Sequence, residues 1–440
     1  DAPPPEQAPQ IAAVRETLAE ARSLQAAGKY KESVALAIGA DAAADALDYT
    51  PLVAEAKLVH GRSRWQAGEH EAAIPVLSAA AASALASRDD ARLLTAFVDL
   101  SHVLGYSLGR DKEAAAWINL AEGALRRSGD RPRDRARVLG ARALIDVAAN
   151  RYAEAEVALL RQLELLETEY GPDSPHLGRT INALGGVYLR TGRYVEAETL
   201  FVRAVELEEA VGGPLHPDVA LPLNNLALSH ERQGRRLDAV VALRRAKTIF
   251  ERTAGVDHPN VGILQQNIGG MLRLAGKPAE ARVELDAARV LLEAKLGPDH
   301  PAIAGVYTFS GDVAIDEGDL ARARADYQRA DDLRSKALGA DHPDRSLALL
   351  GLGKVALAEG KPDAAVAPLE LALKLWTGTT PDPQDIGEVK WNLARALWVA
   401  DEARARGLIA EAQGHFTEAG INSAGLIKEI EAWLAKHPAN

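Results

Sequence analysis

Four histidines stand one fixed step apart: His216, His258, His300 and His342, each 42 residues beyond the last. Imidazoles on a regular ladder are the raw material of a metal-binding array. Their surroundings argue for something else. Each is followed by Pro, whose missing N–H costs nothing in the first turn of a helix, so each histidine is expected at a helix start among capping residues. Packed helices lie about 8–10 Å apart, whereas a zinc ion needs its ligands about 2 Å away. One histidine per step therefore cannot build a shared site, and no metal is expected.

Gly351-Leu352-Gly353-Lys354 suggests a phosphate loop, but the frame GxxxxGK[ST] is missing. Gly276-Lys277 and Gly360-Lys361 each precede Pro and read as turns. No HExxH, no GxSxG and no paired-carboxylate cluster in a strand–turn setting occurs. Asp89-Asp90 and Asp331-Asp332 read as solvated helix charges. With no Cys, disulfides, thiolate metal sites and a cysteine nucleophile are all excluded. The expectation is a chain without catalysis, cofactor or metal.

The elements that position these residues repeat. One loop recurs as GPDSPH at Gly171, GPLHPD at Gly213, GVDHPN at Gly255, GPDHPA at Gly297 and GADHPD at Gly339, always 42 residues on. A second series, Gly192, Gly234, Gly276, Gly318 and Gly360, keeps the same step. Two punctuation marks in one period, with apolar residues at helical spacing between them, predict a helix–turn–helix hairpin per repeat. Weaker turns at Gly28, Gly68, Gly109 and Asn150 carry the array toward the N-terminus. Asn is the commonest stand-in for Gly in a left-handed turn.

Nine hairpins are clear. A tenth is expected over 383–418 and a final helix near 423–436. The reading is a Pro-rich linker at 1–9, a solenoid over 10–420 and a capping helix with tail at 421–440, with no second domain. The DAPPPEQAP opening reads as a linker leading from a preceding segment, and the start at Asp1 as a processed or truncated end. Single hairpins cannot bury their own apolar stripe, and stacking does so. Small residues mark the crossings: Gly185, Ala227, Gly269, Gly311 and Gly353 on the first helix. On the second, Ala197, Ala239, Ala281, Ala323 and Ala365 recur, followed by Ala204, Ala246, Ala288, Ala330 and Ala372.

These small and large positions resemble the tetratricopeptide repeat (TPR) family. The 42-residue period, the DHP loop and PLNNLALSHERQG look most like kinesin-light-chain-type repeats, clearest over 174–381. RSLQAAGKYKESVALA, HVLGYSLGRDKEAAAWINLAEGAL and the ending NLARALWVADEARARGLIAEAQ…EAWLAKHP resemble the C-terminal TPR region of myxobacterial-type serine/threonine protein kinases. The resemblance implies an all-α, right-handed superhelical solenoid of about ten repeats with a C-terminal capping helix. It also implies a concave face lined by the first helix of each hairpin. In the kinase family a kinase domain comes first, often followed by a membrane span. That order would place the repeats outside the cytoplasmic membrane, and without a span they are cytoplasmic. HRD, DFG and a glycine-rich phosphate loop are absent from this sequence.

Net charge is -11 with a pI near 5.6. Phosphate backbones need clustered Lys and Arg, so nucleic acid is not expected as a partner. No stretch approaches 18 consecutive apolar residues, and no membrane insertion is expected. The expected ligand is a protein or an extended peptide. Stepping by 42, the inner face reads Asn182, Asn224, Gln266, and beside it Asn225 and Asn267. Side-chain amides donate and accept, so such a ladder can hold a peptide backbone. Arg190, Arg232 and Arg273 end these helices and would favour an acidic ligand, before Asp312 and Asp316 turn the next repeat acidic. Trp117, Trp376, Trp391, Trp398 and Trp433 read as core, whereas Trp65 is placed on the inner face as a candidate contact. Open solenoid ends can also pair, which admits a homodimer. A regulatory or recruiting region of a bacterial kinase and a free-standing adaptor both fit.

Overall fold

The computed structural model describes residues 3–26, 29–377, 379 and 381–437. Among them there is no strand, and none of the helices is long and apolar enough to cross a membrane. The chain divides into two compact units. The N-terminal unit, Asp1–Arg193, contains α1 (Ala8–Ala26), α2 (Tyr30–Leu47), α3 (Thr50–Gln66), α4 (His70–Ala86), α5 (Asp90–His102), α6 (Asp111–Arg127), α7 (Pro132–Ala148), α8 (Tyr152–Tyr170) and α9 (Gly178–Arg190). The C-terminal unit, Tyr194–Asn440, begins with α10 (Tyr194–Gly212), α11 (Ala220–Arg232), α12 (Arg236–Thr253), α13 (Pro259–Leu274), α14 (Pro278–Leu296) and α15 (Ala304–Asp316). It continues with α16 (Leu320–Leu338), α17 (Ser346–Ala358), α18 (Pro362–Leu375), α19 (Pro383–Leu397), α20 (Glu402–Ala419) and α21 (Ala424–Lys436).

Within each unit every helix packs on its neighbours in sequence. Odd-numbered helices also touch one another across hairpins, α3 on α5 and α5 on α7, or α13 on α15 and α15 on α17. They form an inner layer and the even-numbered helices an outer one. The sequence-marked turns explain the folding back. Both glycine series adopt positive φ, for example 78° at Gly192 and 99° at Gly255, and Asn150 does so at 57°. Gly28 lies outside the described residues, as do Asp1 at one end and Pro438 at the other. α1 starts at Ala8, inside the segment read as linker.

The histidine ladder caps helices. His216, His258, His300 and His342 each accept, at Nδ1, the backbone N–H two residues ahead, at 3.2–3.3 Å. Each thereby satisfies a donor that a helix start leaves open. Ser174 does the same in the first such loop, at 3.4 Å.

The small residues sit where one helix crosses another. A Cβ on Gly61, Gly269 or Gly353 would lie 2.5–2.6 Å from a Leu77, Leu285 or Leu369 side chain on the following helix. The ten recurring alanines of the outer helices are all fully buried. Ala281 shows the consequence: its carbonyl would stand 3.2 Å from a Cβ on Gly269, so α13 and α14 meet backbone to backbone. Ala281→Leu is expected to cost about 1–3 kcal/mol by overpacking, read as a lowered melting temperature. The same change at exposed Ala325 serves as the neutral control. At the C-terminal end, Trp433 of α21 meets the rings of Trp391 and Trp398 edge-on at 5.3 and 4.7 Å.

Candidate functional site

Each unit presents a groove on its inner layer. In the C-terminal unit it encloses about 500 Å³ and is lined by α13, α15, α17, α19 and α21, with Arg273, Phe309, Asp312, Lys354 and Glu388 facing it. Arg273, Asp312, Lys354 and Glu388 are held in ion pairs. Arg273 holds Asp316 at 2.8 Å and Asp312 at 3.6 Å. Lys354 pairs with Glu388, which also accepts from Gln384 Nε2 at 3.1 Å. Burial alone would raise the Glu388 carboxyl and lower the Lys354 ammonium, but their mutual attraction prevails and shifts both the other way.

A further pair joins α11 to α19. Arg232 Nη1 lies 2.7 Å from Asp382 Oδ2, with three hairpins between them in sequence. Asp382 also caps α19 by accepting the Gln384 N–H at 2.9 Å. The inner layer of this unit therefore curves far enough for its first and last full hairpins to meet through side chains.

Asp385, one turn into α19, faces the same cluster. Burial first, then the neighbouring Asp382 and Glu388, push its carboxyl up from 3.8 to about 7, with Lys354 and Arg232 opposing. A raised carboxyl binds its proton more tightly in the folded state, so its contribution to stability falls as pH rises from about 4 to about 7. Asp385→Asn should therefore raise the melting temperature at pH 8. That gain over the parent chain should vanish by about pH 3, below both pKa values, where folded and unfolded states alike carry the proton.

The sequence-derived candidates divide between the units. Asn182 and Arg190 lie on α9, half-buried and exposed. The N-terminal groove takes Arg179, Thr180 and Ala183 from that helix instead. Asn224, Asn225, Gln266 and Asn267 are half-buried on α11 and α13, outside the lining of the C-terminal groove, which takes Gly270, Arg273 and Leu274 from α13 instead. Gln266 covers the backbone of Gly305, where a Cβ would meet its amide at 2.7 Å. Arg232 and Arg273 already hold carboxylates of their own chain, so an acidic ligand reaching them must displace Asp382 or Asp316. Among the described residues, one group of three ligand-type side chains, Glu208, His216 and Asp218, comes together. His216 Nδ1 is occupied there by its capping bond.

The groove of the N-terminal unit is larger, about 960 Å³, and is lined by α3, α5, α7, α8 and α9. Trp65 is on it, as expected from the register. Its ring lies 5.7 Å from that of His102, and its Nε1 donates to Ser107 Oγ at 3.0 Å. Ser107 reaches that position because Val103–Ser107 continues α5 as a π-helix, a local widening often found at functional sites. Arg62 grips Asp99 with two bonds, 2.5 and 3.0 Å. Arg133, Arg137, Arg179 and His102 join them, and the eight-residue candidate set contains none of these. The signal was present: Arg137 and Arg179 stand 42 residues apart, in one register.

Stacked two-helix units with a small residue at each crossing define an α-helical repeat solenoid. The tetratricopeptide repeat family model matches residues 134–209, 179–252, 218–289 and 302–377, more than half of the sequence, and the chain belongs to that family. Among solved structures it is similar to the apo form of RapI: 11% identity, TM-score 0.60, 86% of this chain and 99% of that one. A Rap protein complexed with competence and sporulation factor is 12% identical with TM-score 0.57, covering 94% and 99%. The TPR-sensor STAND ATPase PH0952 from Pyrococcus horikoshii is 15% identical with TM-score 0.54, covering 69% and 44%. At such identities the likeness is one of fold. No curated protein matches the chain in sequence.

Proposed function

We propose that the chain is a non-catalytic scaffold that holds a partner protein, through an extended segment, against its odd-numbered helices. The observation that carries this is the pair of grooves, each lined by polar side chains of successive inner helices that the hairpin cores do not consume. A Rap protein of this fold with competence and sporulation factor bound supports the reading. Asn224, Asn225, Gln266 and Asn267 would grip the ligand backbone, with Asn182 on α9, while Arg190, Arg232 and Arg273 would meet acidic side chains.

The test is selection from a displayed random-peptide library, followed by affinity measurement. Asn225→Ala and Asn267→Ala should each weaken selected peptides about three- to tenfold. Val283→Ala, on the exposed outer layer, should change nothing. The reverse pattern would move the binding surface to the outer layer. A finer reading makes the chain the recruiting region of a bacterial serine/threonine kinase, on the sequence resemblance alone. The upstream coding sequence decides it, through the presence of HRD and DFG. The kinesin-light-chain-like period favours a free-standing adaptor if those motifs are missing.

A further inference from the structure

We propose that a cleft on the outer layer, between α12 and α14, receives an arginine side chain of a partner protein. The site uses none of the inner-face residues named above and is a second binding surface.

The 42-residue register shows a cation missing there. Arg203, Arg245 and Arg329 share one position on α10, α12 and α16. Arg245 is paired with Glu209. Arg329 Nη2 donates to Asp299 Oδ1 at 2.8 Å and to the Pro298 carbonyl at 2.9 Å. Lys336, two turns on, holds Asp299 as well, at 2.8 Å. On α14 the positions of Arg329 and Lys336 are taken by Ala287 and Ala294, both exposed. The matching carboxylates are retained: Glu251 stands in register with Glu209, and Asp257 with Asp299. Both line the cleft that the two alanines leave. Lys247 reaches Glu251 at 2.6 Å, and Lys295 reaches Asp257. Asp257 still keeps 63% of its side-chain exposure, so a donor from outside has access to it.

The rest of the cleft is mostly apolar. It encloses about 710 Å³ against Val256, Val261, Val290 and Leu291. Val290 is exposed where α12 has Thr248 and α16 has Asp332. A solvent-facing helix position that turns apolar in one repeat of a series adds to an exposed patch of the kind that marks contact surfaces. Gln265 is the second, independent observation. Its register neighbours are Leu223, Tyr307 and Leu349, yet here an amide stands on the cleft wall, with Oε1 buried and without a hydrogen-bond partner. A buried acceptor left unpaired is costly, and a donor entering the cleft satisfies it. Arginine fits all three features. Its methylene stem lies on apolar surface while its fork supplies five donors, enough for Gln265 Oε1 and a carboxylate of Asp257 or Glu251 together.

The experiment uses the full chain and three fluorescent peptides identical except at one position between two leucines, which holds arginine, its neutral isostere citrulline, or glutamate. The arginine peptide should bind at least about tenfold tighter than the citrulline peptide and the glutamate peptide weakest, with the arginine preference falling as salt rises. Ala287→Arg supplies the missing guanidinium from within the chain. It should raise the melting temperature by about 1–3 °C through Glu251 and Asp257 and remove the arginine preference. Asp257→Asn should lower that preference about three- to tenfold, and circular dichroism checks that both variants are folded. Asn225→Ala, on the inner layer, should leave it unchanged. Equal binding of the arginine and citrulline peptides, binding of none of the three, or a preference that survives Ala287→Arg would each overturn the cleft. A preference lost in Asn225→Ala would overturn it by moving the site to the inner face. Self-association of the chain, seen by sedimentation and abolished by Ala287→Arg, would overturn the partner in favour of a second copy. Library peptides indifferent to Asn225→Ala and Asn267→Ala would, in contrast, remove the scaffold reading and leave this result standing.

Discussion

Tyr327→Ala lowers the stability of the C-terminal unit by about 3–5 kcal/mol, the cost of emptying a large aromatic site. Tyr327 stands at the register position that holds leucine at 243, 285 and 369, and its ring is wholly buried between α15 and α17. Glycines make the space: a Cβ on Gly311 would stand 2.9 Å from the ring, and one on Gly351 would overlap it. The hydroxyl donates to Asp312 at 2.6 Å, and burial followed by Asp312 pushes its ionisation far out of the accessible range. Tyr327→Phe removes that bond alone and is expected to cost about 1 kcal/mol. The two variants separate packing from hydrogen bonding in one thermal scan, and equal losses would refute the packing account. Gly351 and Gly353, which suggest a phosphate loop, are thereby explained: one admits Tyr327, the other Leu369.

Arg232→Glu is the second large effect. Removing one partner of a buried pair costs about 3–5 kcal/mol. This pair keeps 36% and 24% of its side-chain exposure, so about 1–3 kcal/mol is expected. The new carboxylate also faces Asp382 and stands beside Glu231. The loss should appear in hydrogen exchange as faster opening near α11 and α19, with residues before 194 unchanged. Arg232→Glu with Asp382→Arg should recover most of it. A double variant no better than the single one would show that the pair contributes nothing.

Much of this fold was legible. Gly192, Gly234 and Asn150 announce turns because few residues tolerate positive φ. The buried alanines announce close helix contact because anything larger would force the axes apart. The inner-face register was legible as well, and it placed Trp65. Less could be read of what those faces hold. The Arg232–Asp382 pair depends on a small rotation accumulated over several hairpins, and no local pattern carries that angle. The π-helix at Val103–Ser107 inserts one residue into a helical period and moves Ser107 under Trp65, which a fixed register cannot anticipate. Arg137 and Arg179 share one register position in the weaker N-terminal repeats and are legible there. That Asp99 and Asp134 form their ion pairs with Arg62 and Arg131 rather than with Arg137 is not legible, because both carboxylates look available until their partners are seen.

The contact between α11 and α19 makes the C-terminal unit a latched spring. Its coils are joined along the chain by packing, and its two ends meet through the guanidinium of Arg232 and the carboxylate of Asp382. A guest presenting an acid to Arg232 and a base to Asp382 would replace the latch on both sides, and the bore could then widen without leaving either charge stranded. Guests lacking one of the two would have to pry it open unaided.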